Sequence, residues 1–319
     1  MNNVIAVNNQ SIILSEPTPV PSISKFVGRK RELQLCRAAW GVTDDGSRFF
    51  EDVTPLHFRL EGSPGCGKNE IVYEIARHLN QPLYTIQGHE EVTPEDLSLL
   101  LVPDPGTGDG RSVPLTLRAS PLATALLVGG LFFFDEINRV PERALSPLAS
   151  VLDNRNTIYS AMTGLHISAP TIEARKRFRF CCALNPQLSD AGRGVLPEYI
   201  EERTLPAIPI DYLTLEELSE ILSENLSISP VVLSDFENWY KRDAERRLSV
   251  RQALSIMRYA TNLQATRANL PMDEALREIE PMVLRPSERS ANDGTATDDS
   301  VDDETLKDDD SLEDRDDQP

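Results

Sequence analysis

Residues 56–79 read LHFRLEGSPGCGKNEIVYEIARHL. Leu56, Phe58 and Leu60 alternate, as in a strand. From Ile71, apolar residues recur at Val72, Ile75, Ala76 and Leu79, along one face of a helix. Between them stands Gly62-Ser63-Pro64-Gly65-Cys66-Gly67-Lys68, with the spacing G-x-x-x-x-G-K. Strand, glycine loop and helix in that order make a phosphate cradle. Glycines let the backbone curl so that its N–H groups point inward. The helix N-terminus adds the positive end of a dipole, and the lysine reaches the β/γ-phosphates. Gly62 to Lys68, with Asn69 and Glu70 behind them, are therefore candidate nucleotide-binding residues. One position departs from the pattern, which has Ser or Thr after the lysine to ligate Mg2+. Here it is Asn69. An amide oxygen can ligate a hard cation, so Asn69 is a candidate metal ligand. Nucleotide binding is expected to survive the change, and efficient hydrolysis is the step it puts in question.

A second stretch completes the chemistry. Leu131-Phe132-Phe133-Phe134 is an apolar run suited to a strand buried on both faces, as parallel sheets require. Asp135 and Glu136 emerge at its C-terminal end, the edge where ligands sit in open α/β sheets. Asp135 is a candidate Mg2+ ligand, and Glu136 a base that polarises a water toward the γ-phosphorus. A run of this kind is common by chance; its place 67 residues after Lys68, behind an intervening strand, gives it weight. Another buried strand, Phe178 to Leu184, ends at Asn185, whose amide is placed to touch the γ-phosphate or the attacking water.

The totals exclude several classes. Net charge is −19 over 319 residues, and residues 287–319 hold 14 acidic and 3 basic ones, a net −11 that leaves −8 elsewhere. That balance argues against a duplex-wrapping protein and makes a nucleic-acid partner the less favoured reading. The densest basic patch is Arg175-Lys176-Arg177 with Arg179; alternation puts Arg177 and Arg179 on one side of a strand, a solvated edge. The four cysteines lack paired metal spacing, and Cys181-Cys182 reads as strand core, so a reducing, cytoplasmic setting is expected. His89 has no His or Cys partner nearby and reads as a polar loop residue. The first residues lack the basic start of a secretory signal, and the apolar run Pro121 to Phe134 is too short to span a bilayer, so no membrane role is expected.

The expected organisation is a flexible leader over 1–24, an αβα nucleotide-binding core over 25–210, a helical lid over 211–285 and a disordered acidic tail over 286–319. Within the core, helices are predicted at Lys30–Trp40, after Thr93-Pro94, and at Ala144–Asn154. Strands are predicted at Pro82–Ile86 and Leu205–Ile210, a surface loop at Pro103–Pro114, and a hairpin at Thr157–Pro170 turning at Thr163-Gly164. Thr214 to Glu217, Ser234 to Glu237 and Ser249 to Gln252 each fit a capping box opening a helix. Met272 to Val283 supplies a fourth amphipathic run. Arg251 falls in the first turn of its helix, where a cation opposes the dipole; a phosphate partner would account for it.

Taken together, residues 26–284 resemble an AAA+ ATPase of the MoxR-like and dynein/midasin-related branch. The carrying residues are the glycine loop, Gly88-His89-Glu90-Glu91 with Thr93 to Leu97, Ser120-Pro121-Leu122, Asp135-Glu136-Ile137-Asn138-Arg139, Leu184-Asn185-Pro186, and Gly192-Arg193-Gly194 with Leu196-Pro197 ahead of Arg203. The resemblance implies an α/β, P-loop NTPase fold with a parallel sheet. It implies ATP and Mg2+ as cofactors, with GTP left open by the residues themselves. Val27 and Gly28 would lie over the adenine, Asn185 would act as sensor 1 and Arg251 as sensor 2. Arg203 would be the arginine finger that enters a neighbouring subunit's site. The resemblance also implies a homo-oligomeric ring, a hexamer in this family, and a protein client, among which proteins with a von Willebrand factor A domain are frequent. The activity expected is ATP hydrolysis that remodels or activates that client; the alternative is a nucleotide-binding scaffold with little turnover, motivated by Asn69. Glu202-Arg203-Thr204 departs from the usual small or acidic residue, Arg and Phe, which touches packing around the finger.

Overall fold

The computed structural model describes residues 4–7, 9–22, 25–103, 115–153, 155–186, 194–267 and 269–284. Two strands, β1 (Val4–Val7) and β2 (Gln10–Ile13), and helix α1 (Lys30–Trp40) come first. β3 (Phe58–Glu61) enters the glycine loop and α2 (Lys68–Leu79) leaves it. β4 (Leu83–Gln87), β5 (Leu99–Pro103), β6 (Leu115–Ala119) and α3 (Pro121–Val128) lead to β7 (Leu131–Asp135). Then come α4 (Leu148–Val151), β8 (Thr157–Ser160), β9 (Leu165–Ser168), α5 (Ile172–Arg177) and β10 (Arg179–Leu184). α6 (Glu198–Glu201) and β11 (Ala207–Pro209) end the α/β part. α7 (Leu215–Asn225), α8 (Pro230–Lys241), α9 (Val250–Thr266) and α10 (Met272–Val283) form a helical C-terminal part.

The main sheet has the order β11-β3-β10-β7-β4, and every pairing in it is parallel. Alternation along its inner strands divides the core in two. Leu131, Phe133, Cys181 and Ala183 face α1 and α2, with Trp40 and Ile71. Phe132, Phe134, Phe180 and Cys182 face the other layer, with Leu122 and Leu126 of α3. Burial of each such large side chain is worth about 1.5–3 kcal/mol, so the two layers hold the sheet from both sides. Because the strands run parallel, Glu61, Asp135 and Leu184 all end at one sheet edge. That edge carries the site.

Several expectations are corrected. The leader expected to be flexible over 1–24 holds two strands among its described residues: β1 pairs antiparallel with β2, and β2 runs parallel to β6 in a second sheet of order β1-β2-β6-β5. Ile12 is fully buried there, and Thr18 N–H donates to Leu83 O at 2.7 Å. Two short apolar runs around Asn9 find partners distant in sequence, which local pattern does not display. Arg179 is not a solvated edge residue. It starts the central strand β10, is 2% exposed, donates from Nε to Trp40 O at 2.7 Å and lies 4.0 Å from the Phe49 ring. The helix expected at Ala144–Asn154 is a 3-10 turn (Glu142–Leu145) followed by the four-residue α4, with Pro147, which has no N–H to give, between them. Thr93-Pro94 opens only a 3-10 turn, Glu95–Leu97. Ser234 lies inside α8, whose N-cap is Ser229, accepting from Val232 N–H at 3.4 Å with Pro230 at the first helical position. Both other capping boxes, Thr214/Glu217 and Ser249/Gln252, form. The hairpin β8–β9 turns through Gly164 at φ +69°. The acidic tail at 286–319, the loop at 104–114, and Gly192-Arg193 lie outside the described residues.

Candidate functional site

The glycine loop has its shape for steric reasons. A Cβ on Gly62 would stand 2.3 Å from Ile210 O, so β11's exit and the loop can meet only because no side chain intervenes. Gly67 adopts φ +93° as it enters α2, a conformation that favours glycine. Lys68, 8% exposed, donates from Nζ to Gly62 O at 2.6 Å and Ser63 O at 3.1 Å. Burial pushes its ammonium below the ordinary lysine range, opposed by the Asp135 and Glu136 carboxylates nearby.

β7 delivers those carboxylates. Gly88 N–H donates to Asp135 O at 2.7 Å, and a Cβ on Gly88 would stand 2.3 Å from Glu136 O. At the same point Glu136 adopts the left-handed region, φ 52°. The Glu136 carboxylate then accepts from Arg139 at 2.8 Å. Asn138, buried beneath, donates to Asn185 O at 3.1 Å and so ties the ends of β7 and β10 together. The helical part closes the other side. Ser249 and the Arg251 stem lie 3.0 Å from where a Gly65 Cβ would stand.

These groups share a cavity of about 480 Å³. Of the residues predicted from sequence, Val27, Pro64, Gly65, Gly67, Lys68, Asn69, Glu70, Asp135, Glu136, Asn185 and Arg251 line it. Gly62, Ser63 and Cys66 shape the loop without facing the cavity. Gly28 packs instead under α7, where a Cβ would meet Glu217 Oε1 at 2.7 Å. Arg203 stands apart, beyond α6, donating to Tyr199 O at 2.8 Å; the unusual Thr204 beside it is fully buried and donates to Ile200 O at 2.8 Å. Tyr73, Ile221, Asn225 and Leu254 line the cavity without a sequence signal, and Arg29, which closes the Val-Gly-Arg turn expected over the adenine, lines it too. Arg29 is the most consequential of them. Its guanidinium, 6% exposed, donates to Cys66 O at 2.9 Å in the loop, to Glu32 at 3.0 Å, and to Asp211 O ahead of α7. A charge directly after Val-Gly, three residues before Glu32, was the available signal, but its bonds to Cys66 O and Asp211 O are set by tertiary structure. Burial raises the Glu70 carboxyl, whose Oε2 is enclosed without a hydrogen-bond partner among the described residues.

The cavity suits a nucleotide's phosphates: a main-chain cradle, a helix N-terminus, Lys68 and Arg251. It does not suit Mg2+ held in the way the motif implies. Asn69 turns its amide nitrogen, not its oxygen, to Asp135: Nδ2 donates to Oδ2 at 2.8 Å. Among the described residues no group of three His, Cys, Asp or Glu could hold a metal by itself. In this orientation Asn69 offers Asp135 a donor rather than a metal an oxygen.

Comparison with known proteins agrees with the geometry. Residues 57–199 match the family described as AAA domain (dynein-related subfamily). This stretch is an AAA+ domain of the dynein-related branch. The chain is 27% identical over 164 residues to the denitrification regulatory protein NirQ of Pseudomonas aeruginosa, a match that spans 51% of this chain and 57% of NirQ. It is 30% identical over 168 residues to midasin of Giardia intestinalis, covering 52% of this chain and 3% of midasin. Its fold is similar to that of RuvB from Thermotoga maritima, with a TM-score of 0.53 at 18% identity over 82% of this chain and 72% of that one. No helix among the described residues is long and apolar enough to cross a membrane.

Proposed function

We propose that this AAA+ protein binds ATP in the cavity between the glycine loop and the helical part, hydrolyses it, and uses the cycle to remodel or activate a partner protein. The observation that carries the reading is the convergence of Lys68, Asp135, Glu136, Asn185 and Arg251 on one cavity. Lys68 and Arg251 hold the β- and γ-phosphates. Glu136 takes the proton of the attacking water as the new O–P bond forms and the bond to the β-phosphate oxygen breaks. Charge that develops on the γ-phosphoryl is met by cations already in place. A neighbouring copy in a homo-oligomeric ring, a hexamer in our proposal, supplies Arg203, so an isolated subunit turns over slowly. Loss of the γ-phosphate releases Arg251 and Asn185 and lets the helical part move against the sheet. The client we propose is a protein, with von Willebrand factor A domain proteins as the first class to test.

Phosphate release from ATP by the assembled protein, in wild type and Glu136→Gln, tests the reading. Turnover that disappears in the variant while ATP still binds supports it; turnover equal in both contradicts it. The Asn69–Asp135 hydrogen bond favours one second reading, a nucleotide-binding scaffold with little hydrolysis. Absent turnover in wild type, not gained in Asn69→Thr, would select that reading.

A further inference from the structure

The contact between Asn69 and Asp135 has a chemical direction. A carboxylate only accepts, and an amide has both a donor and an acceptor end. At 2.8 Å from Asp135 Oδ2, an amide oxygen would set lone pair against lone pair, so the nitrogen must face the carboxylate. Asn69 also shares a side-chain hydrogen bond with Tyr73, which lines the same cavity. The amide is thus held between a strand end and its own helix. A Ser or Thr hydroxyl here would have a single O–H on a shorter side chain to give, where the amide has two N–H donors and serves Asp135 at 2.8 Å.

We propose that the Asn69 amide stands in for a cation at Asp135, so that this cavity takes a nucleoside triphosphate with little dependence on Mg2+. The inference rests on the reading of the cavity as a nucleotide site and adds how its charge is balanced. Mg2+ demands near-octahedral oxygen ligands at about 2.0–2.1 Å. To ligate it, the amide would have to break the bond to Asp135 and rotate its oxygen inward. Meanwhile the cavity is lined by Lys25, Arg29, Lys68 and Arg251 against Glu70, Asp135 and Glu136. Lys25 is paired with Glu220 and Arg29 with Glu32, which leaves Lys68 and Arg251 as the lining cations beside the Asp135 and Glu136 carboxylates before any metal binds. The amide satisfies the carboxylate, and the basic side chains meet the triphosphate.

The test is an equilibrium titration of the full chain with a fluorescent ATP analogue, in buffer containing Mg2+ and in buffer containing EDTA. For wild type the two dissociation constants are expected to lie within about threefold of each other. For Asn69→Thr and Asn69→Ser, removal of Mg2+ is expected to weaken binding by about tenfold or more. A wild-type chain that loses tenfold or more in EDTA, as those variants do, would overturn the inference while leaving the nucleotide site intact. Absence of binding in both buffers would overturn the nucleotide site itself, and the inference with it.

Discussion

The two walls of the cavity are built differently. The sheet-side wall is the glycine loop with the ends of β7 and β10, held by main-chain bonds such as Gly88 N–H to Asp135 O and by two glycines that permit contact at distances no side chain allows. The helical wall presents Ile221 and Asn225 of α7 and Arg251 and Leu254 of α9. It is braced from behind by its own core, where Trp239 donates to Glu280 at 2.9 Å and Arg246 lies 3.8 Å from the Trp239 ring. Among the described residues the walls are joined by Arg29 to Asp211 O, by Lys25 to Glu220, and by the approaches of Gly65 to Ser249 and Gly28 to Glu217. One wall is fixed for chemistry. The other is a body with its own core, and in the cycle we propose it moves when its contact with a phosphate is made or lost.

The largest expected effect lies outside both walls. In the assembled protein, Arg203→Ala is expected to lower the rate of phosphate release by about 10³-fold or more, with ATP affinity changed little. A normal rate would remove the neighbouring copy from the site. Next comes the fixed wall, where Glu136→Gln is expected to slow release by about 10²–10⁴-fold with binding retained. Arg251→Ala, on the movable wall, is expected to weaken ATP binding by about tenfold. Its head is exposed, so the unfolding free energy should shift by no more than about 0.5 kcal/mol. Arg29→Ala tests the link between the walls. It leaves the buried Cys66 carbonyl of the loop and the Asp211 carbonyl without their donor, and urea melts are expected to show a loss of about 1–3 kcal/mol.

A smaller effect concerns pH. His57 packs edge-on to Phe178 and Phe180, and burial together with Arg179 pushes its pKa down to about 4. The folded state then holds the ring neutral while an unfolded chain protonates it near 6.5. Its contribution is complete above pH 6.5 and is lost as pH falls toward 4, about 3 kcal/mol at most. Denaturant melts across that window should show a shallower pH dependence in His57→Phe.

Much of the fixed wall was legible because its chemistry is local. Residues 62–68 must lie in sequence order to curl around a phosphate, and Phe132 to Glu136 announces a doubly buried strand ending in carboxylates. The capping boxes at Thr214 and Ser249 were legible for the same reason, since each is closed within four residues. What escaped depends on partners far along the chain. β2 is a strand because β6 receives it, and Arg179 is buried because Trp40 O and the Phe49 ring receive its charge. Ile221 and Leu254 read as ordinary core positions of amphipathic helices. The orientation of Asn69 could not be read either, because an amide's useful end is decided by the group across from it.

The central claim is that the cavity holds a triphosphate through Lys68 and the loop it sits on. Calorimetric titration of wild type and Lys68→Ala with ATP tests it most directly. One site per chain in wild type, with affinity reduced by about 10²-fold or more in Lys68→Ala, is the result predicted. Unchanged affinity in the folded variant would contradict the account.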